Sequence, residues 1–524
     1  MQQRPDGGRR VLGGDLSIQN PNRENPIRRV PHPLLLEIPT RTWLRELSER
    51  EGRRVTLAGV PEDALENIRD QGFQAVWLMG VWRTSPSARR LALSHPLLLR
   101  EYESLLPDWQ TADVEGSPYA IEYYEASPSI GGDAELDFFR LKLQSLGLGL
   151  VLDFVGNHLA CDHRWLDEHP DRLVQGTVRD LARAPSNWFV HLGRDGTDRV
   201  FAHGRDPYFE GWSDTVQIDL RRRATRDAHL RTLLDLARRC DGVRCDVAML
   251  LLRDVFASTW GPGPDDASGE FWEEAIGAVR SEHPEFVFIA EAYWGLESRL
   301  IELGFDFAYD KTILDALAHS DWTTLRRQHT LAYEQRRTRV HFLENHDETR
   351  AMVRFGPARL PAALLFTSTL PGMRFFQHGQ IEGRRLRTPV QLARAPQEPV
   401  DPWCRNLHER VLGLLKESAL HAGEWSPWDS SPPDGRAGGV FGNRWRFENT
   451  EWIALVNFGS QEERAEIRAA TEDFEVQTKF ASRESPVLLH RHAGAISVIL
   501  EPGEAIVLQV VAQLAPLPKE SSRS

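Results

Sequence analysis

Four short stretches of the chain run from apolar residues into side chains that can do acid–base chemistry: VLDFVGNH from Val151, GVRCDVAML from Gly242, FIAEAYW from Phe288 and FLENHD from Phe342. The first delivers Asp153, Asn157 and His158, the second Arg244 and Asp246, the third Glu291, and the fourth Asn345, His346 and Asp347. A single Asp or Asn at the end of a strand is commonly a turn or a helix cap. Four independent caps would not need an arginine and an aspartate two positions apart, nor two histidines beside them. Side chains two apart on a strand share a face, so Arg244 and Asp246 project together while Val243, Cys245 and Val247 face the other way. A guanidinium beside a carboxylate keeps that carboxylate ionised and oriented. Glu291 instead has Ile289, Ala290, Tyr293 and Trp294 as sequence neighbours, and an apolar setting raises a carboxyl pKa so that the group can donate a proton. Two carboxyl groups in these unlike states, on opposite sides of a bond, are the apparatus of glycosidic-bond cleavage.

The elements that must position these residues are legible as apolar runs alternating with helical periodicity. Strands are expected at PLLLEI from Pro33, QAVWLMGVW from Gln74, LGLVLDFV from Leu148, GVRCDVA from Gly242, FVFIAEAYW from Phe286, FDFAYD from Phe305, RVHFLENHD from Arg339 and GMRFF from Gly372. Most are apolar nearly throughout, as strands covered on both faces should be. PEDALENIRDQG, AELDFFRLKLQSLG and ATRDAHLRTLLDLARR supply crossover helices. Eight parallel strands with such crossovers predict an α/β fold, a closed (β/α)8 TIM barrel, and in that architecture the loops at the C-terminal ends of the strands converge over one pocket. The barrel is expected over residues 31–412, with an inserted subdomain at 159–217, where the connection is too long and too rich in aromatics, Pro and Gly for a simple crossover. Residues 413–512, with VFGNRWRF, WIALVNF, VQTKFA and ISVILEPGEAIVLQV, predict a C-terminal antiparallel β-sandwich domain. Residues 1–30 and 513–524 are expected to be loose polar tails.

The 524 residues are 41% hydrophobic and 27% charged, and no run approaches the ~18 apolar residues of a membrane helix. A formal net charge of −13 argues against a nucleic-acid partner. Four cysteines do not make a disulfide framework, and the opening MQQRPDGGRRVLGG has no apolar signal region, so a cytoplasmic location is expected. Cys161 lies between His158 and His163, but the spacing fits no zinc pattern.

The four stretches, in this order, resemble the signature regions of the α-amylase superfamily, glycoside hydrolase family thirteen, whose members are retaining glycosidases and transglycosylases. The resemblance covers residues of about 33–512. It implies that Asp246 is the nucleophile, Glu291 the general acid and base, and Asp347 the stabiliser of the oxocarbenium-like transition state. It further implies substrate-binding roles for Arg244, which orients Asp246, and for His158, His346 and Tyr119 at the sugar before the cleaved bond, with Asp153 as the buried carboxylate of the first region. Asn157 matches a position that binds calcium in many members; no cofactor is otherwise expected. The partner implied is an α-glucan or α-glucoside. Where many endo-acting members carry Lys-His after the nucleophile, this chain has Met249 and Leu250, which argues against an ordinary endo-amylase. SPYAI, DHRWLDEHPD, HPEFVFIAEAYW and LGFDFAYDK are similar to stretches of bacterial maltosyltransferases that use maltose 1-phosphate.

The expected activity is retaining cleavage of α-glucosidic bonds in short α-glucans. Transfer of the glycosyl unit to a sugar is the alternative, because water and sugar attack the same intermediate. A non-catalytic binding member of the fold would normally have lost an acid, and all three are present.

Overall fold

The computed structural model describes residues 24–512 except 263–265, 429–438, 469–473, 484–486 and 493. Eight parallel strands close a barrel: β1 (Leu34–Pro39), β2 (Ala75–Met79), β3 (Gly149–Val155), β4 (Gly242–Asp246), β5 (Val287–Ala290), β6 (Phe307–Tyr309), β7 (Arg339–His341) and β8 (Met373–Gln377). Neighbours pair in sequence order and β8 returns to β1, with Leu34 opposite Arg374 and Leu35 opposite Ala75. All eight expected strands are present. β2, β3, β4, β5, β7 and β8 are buried along their whole length, the result of helices covering the outside and side chains filling the inside.

The expected crossover helices form at Glu62–Gln71, Gly132–Ser145 and Arg223–Arg239. The first ends at Gly72, whose φ of 98° needs a residue without Cβ. β6 and β7 are shorter than their sequence runs suggested. The chain leaves the β7 ladder at Phe342, and Asn345 then organises a turn: its Oδ1 accepts from the N–H groups of Asp347 and Glu348, both at 3.0 Å.

Within the expected insertion, His158–Ala160 pairs with Thr215–Gln217, and Gln175–Gly176, Asp198–Ala202 and Trp188–Leu192 form a three-stranded antiparallel sheet. After the barrel, five strands (Glu424–Trp428, Val440–Phe447, Thr450–Asn457, Ala505–Ala512, Phe474–Ala481) and three more (Glu463–Arg468, Ala495–Leu500, Leu489–His492) make two antiparallel sheets. Their shared core holds Ile453, Leu455, Ile467, Ile496, Val498 and Leu508. Asn443 and Trp445 tie the larger sheet to the barrel, donating to Thr369 Oγ1 and Thr369 O, each at 2.8 Å.

Most of the expected N-terminal tail lies outside the described residues, as do 513–524. Residues 24–30 correct that expectation. Asn25 is buried and its amide donates to Asp241 O and Glu285 O at 2.7 and 2.9 Å, so this segment caps the barrel's lower rim because strand ends there leave carbonyls that need donors. Among the described residues, no helix is long and apolar enough to cross a membrane.

Candidate active site

The polar ends of β3, β4, β5 and β7 meet over one pit at the C-terminal end of the barrel. Arg244 lies at its centre, 1% exposed, with its guanidinium 5.1, 5.7 and 5.7 Å from the ring centres of Trp77, Tyr119 and Tyr309. These aromatic faces accept a cation with little hydration, which suits the delocalised charge of Arg. Arg244 Nη1 donates to Asp246 Oδ1 at 2.5 Å, and Nη2 lies 2.8 Å from Glu291 Oε2, close enough for an ion pair but off the axis of a hydrogen bond. One guanidinium therefore spans both acids, where the sequence had paired it with Asp246 alone.

Glu291 is less apolar in its surroundings than its sequence neighbours suggested. Its Oε2 accepts from the Val247 N–H and its Oε1 from the Tyr293 hydroxyl, both at 2.6 Å. Val247 reaches it only by adopting φ 38°, a left-handed conformation that a β-branched residue resists and that surrounding structure must impose. Burial raises the pKa of both Asp246 and Glu291, and Arg244 pulls both back. The Asp246 charge is itself one of those that raise Glu291, and the chemistry needs Glu291 to keep its proton while Asp246 has lost its own.

Asp347 stands at the mouth of the pit with 55% of its side chain open to solvent. The crowding walls push its pKa upward, but His346, followed by Arg244, more than offsets this and holds the carboxyl at about 2, a pull that solvent partly screens. His346 itself is buried. Its Nε2 lies 3.2 Å from Asp347 Oδ2 and 2.9 Å from the Tyr119 hydroxyl, and its Nδ1 lies 2.5 Å from Glu37 Oε1. Burial works against its charge, yet Asp347 and Glu37 raise it well above the usual histidine range. Tyr119 also stacks on the His346 ring, 5.5 Å between centres at 21°, so the tyrosine and histidine form one surface.

Glu37 is a residue the sequence reading missed. It is wholly buried at the end of β1, its Oε2 has no hydrogen-bond partner among the described residues, and it meets a histidine 309 positions away. The only local signal was a glutamate in the otherwise apolar PLLLEI. Trp77 and Tyr309 were missed as well, since each reads as core.

Asp153 takes no part in the pit's surface. Its carboxylate accepts from Trp77 Nε1 at 3.2 Å and from the Gly80 N–H at 2.9 Å, and burial lifts it to about 7. It ties β2 to β3, which corrects its place among the substrate-binding candidates and agrees with its reading as a structural carboxylate. His158 is buried against the Trp212 ring, 5.0 Å away, and burial lowers its pKa to about 4, so it presents a neutral imidazole near Glu291. Met249 and Leu250, expected to bear on substrate choice, are 1% and 3% exposed and pack into the core. They remove polar contacts from the site and supply none.

The Asn157 side chain is engaged with Gln217: its Oδ1 accepts from Gln217 Nε2 at 3.0 Å and its Nδ2 lies 3.3 Å from Gln217 Oε1. Among the described residues, no group of three His, Cys, Asp or Glu side chains is placed to hold a metal ion. The Asn157 carboxamide is thus engaged within the protein, and no chemistry is routed through a cation there.

A cleft opens beside His346 and continues over the ends of β1, β2 and β8, lined by Met79, Pro118, Arg350, Leu386 and Arg387 among others. Neither Asp246 nor Glu291 lines it.

A family model of the α-amylase catalytic domain matches residues 51–385. Among curated relatives, the α-amylase MalA of Haloarcula japonica is 24% identical over 274 residues, 51% of this chain and 36% of that protein. An α-1,4-glucan:maltose-1-phosphate maltosyltransferase of Pseudomonas aeruginosa is 24% identical over 305 residues, 55% of this chain and 38% of that protein. The match thus spans little more than a third of either relative. Solved structures with the same fold include an α-amylase from Lactobacillus plantarum (TM-score 0.63, 18% identity, 91% of this chain and 99% of that one). Another is a maltogenic α-amylase, AmyB, from Thermotoga neapolitana (TM-score 0.64, 18% identity, 92% and 99%). With the family model covering well over half of the chain, on a closed eight-stranded barrel that gathers all four signature regions, this protein belongs to the α-amylase catalytic-domain family.

Proposed function

We propose that the protein is a retaining enzyme acting on α-glucosidic bonds of short α-glucans, with Asp246 as nucleophile, Glu291 as acid and base, and Asp347 holding the sugar through the transition state. The observation that carries this reading is the single buried guanidinium of Arg244 bridging Asp246 and Glu291. A planar fork reaching both carboxylates favours the ~5–5.5 Å separation of a retaining pair over the wider gap that must admit a water. Glu291 protonates the leaving oxygen as Asp246 attacks the anomeric carbon, and the ester formed on Asp246 is then released by a hydroxyl whose proton passes to the Glu291 carboxylate. Positive charge develops on the sugar ring beside Asp347, whose depressed pKa supports a role as a standing anion. The surface made by Tyr119 and His346 offers a ring face and an imidazolium to the same sugar. The cleft beside His346 is continuous with the surface that would hold this sugar. Four unpaired cysteines fit a reducing, cytoplasmic setting.

The intermediate can be released by water or by a second sugar. Incubation with maltotriose and maltopentaose, with products resolved by chromatography over time, separates the two. Glucose and maltose accumulating alone support hydrolysis, while products longer than the substrate, in excess of glucose, make the protein a transglycosylase. No turnover of any α-glucoside would remove the reading.

A further inference from the structure

Strand β8 carries a charge that the pit does not use. Phe375 turns inward, its ring 6.0 and 6.1 Å from those of Trp77 and Tyr309, so Arg374 beside it points to the outer face of the barrel, away from Arg244. His341, its partner in register on β7, points the same way. Two helices cover this face, Gly356–Ser368 and Ala419–Ala422, the second leading directly into the C-terminal sheets. Arg374 is 1% exposed. Its Nη2 donates to Leu420 O at 2.8 Å, while Nε and Nη1, both buried, meet no acceptor among the described residues.

A buried guanidinium is normally paired with an acid, because an isolated charge is costly to remove from water. Among the described residues no carboxylate pairs with Arg374, and burial draws its pKa down to about 9, which leaves it charged at neutral pH. The groups described around it add no negative charge. Burial first, and the Arg374 charge after it, lower His32 well below the usual histidine range and His421 to about 4, so both imidazoles stay neutral. Asp310 reaches His341 Nδ1 at 3.5 Å but is paired with Arg336 at 2.5 Å. The Leu420 carbonyl and the C-terminal end of helix Gly356–Ser368 supply only partial charges. Water would satisfy the two N–H groups without balancing the cation.

Arg374 borders a small cavity together with His341, Leu364, Ser368, Phe376 and Gln380. The Ser368 hydroxyl and the Gln380 carboxamide bring neutral donors, and Leu364 and Phe376 an apolar wall. A fixed cation, neutral donors and an apolar wall suit a small, weakly hydrated anion. We infer that Arg374, with Ser368 and Gln380, forms a halide site on the outer face of β8, and that the bound ion stabilises the seam between the barrel and the C-terminal domain. Ser368 immediately precedes Thr369, the residue on which Asn443 and Trp445 of the larger sheet are anchored, and the His32 ring meets the Trp445 ring at 5.2 Å. The site is independent of the double displacement and of the pit.

The test follows thermal unfolding of the full-length protein as sodium chloride replaces sodium gluconate at constant ionic strength. Chloride between about 1 and 100 mM is expected to raise the melting temperature saturably by about 3–6 °C, bromide to do the same, and Arg374→Met to abolish the rise. Ser368→Ala should need about tenfold more chloride for the half-maximal rise. Native crystals grown in sodium bromide and measured at the bromine absorption edge should show an anomalous peak within hydrogen-bonding reach of Arg374 Nε or Nη1, a result that stands even where Arg374→Met does not fold. Turnover of maltotriose well below the melting transition should differ by less than about twofold between the two salts, as the site lies across β8 from the reacting groups. A melting temperature indifferent to chloride overturns the inference, as does an equal rise in Arg374→Met. A bromide peak confined to the pit beside Arg244, or only water at Arg374, overturns it as well.

Discussion

Replacing Asp246 by Asn is expected to lower kcat/KM on every α-glucoside by about 10⁴-fold or more, with the melting temperature within a few degrees of the native protein. Removing a nucleophile that acts as part of a unit costs rate factors of this size. The structure adds a second loss. Asp246 is one of the charges that raise the pKa of Glu291, and Arg244 divides its charge between the two. With Asn at 246 the repulsion disappears and Arg244 faces Glu291 alone, so the Glu291 pKa falls. The residual activity should therefore lose its alkaline limb at lower pH than the native enzyme does. A pH profile of kcat/KM on α-glucosyl fluoride and on maltotriose separates the two effects, because fluoride leaves without a proton and maltotriose does not.

Glu37→Gln is expected to cost about 10–100-fold in kcat/KM and about 1–3 kcal/mol of stability, an effect out of proportion to a residue that touches no sugar. Glu37 and Asp347 together keep His346 charged against its burial. Without the Glu37 carboxylate the His346 pKa falls, and its hold on Asp347 weakens as the imidazolium is lost. A histidine whose folded pKa is raised contributes stability that is fully present below its unfolded value of about 6.5 and is lost as pH rises through the folded value. The stability gap between native and Glu37→Gln protein should therefore be larger at pH 6 than at pH 9, as read by chemical denaturation at the two pH values. The alkaline limb of kcat/KM should also move to lower pH. A gap that grows with pH would show that Glu37 acts on something other than the charge of His346.

Glu37 also marks where the sequence stopped being informative. The eight barrel strands were legible because a strand covered on both faces must be apolar along its length, and charge intruding at its end stands out against that background. Arg244 and Asp246 stood out in this way, and so did the FLENHD turn. Glu37 did not, because one acid at a strand end is also what a cap looks like, and the partner that gives it meaning is 309 residues away. Trp77 and Tyr309 were invisible for a related reason. An aromatic on a barrel strand is expected in the core, and only its distance to a buried guanidinium reveals a second role.

The reading of the nucleophile motif also shifted once its side chains were placed. Met249 and Leu250 drew attention as departures from a polar pair, but both turn into the core after Val247 enters its left-handed conformation. Asn157 likewise reads as a potential cation ligand in one dimension, yet its amide pairs with Gln217, 60 positions away, across the short ladder that opens the insertion. Each case has one physical cause: the partner that decides a polar side chain's role is distant in sequence, and spacing reports only what is near.

The most direct test of the double displacement is to trap its intermediate. With 5-fluoro-α-glucosyl fluoride, the ring fluorine slows both steps by destabilising the oxocarbenium-like transition state, while the good leaving group lets the first step proceed. The account predicts one glycosyl unit per protein by intact mass, found after tryptic digestion on Cys245–Arg253, the peptide that carries Asp246. Label on Glu291 or Asp347, or no label together with products of inverted anomeric configuration by proton NMR, would contradict it.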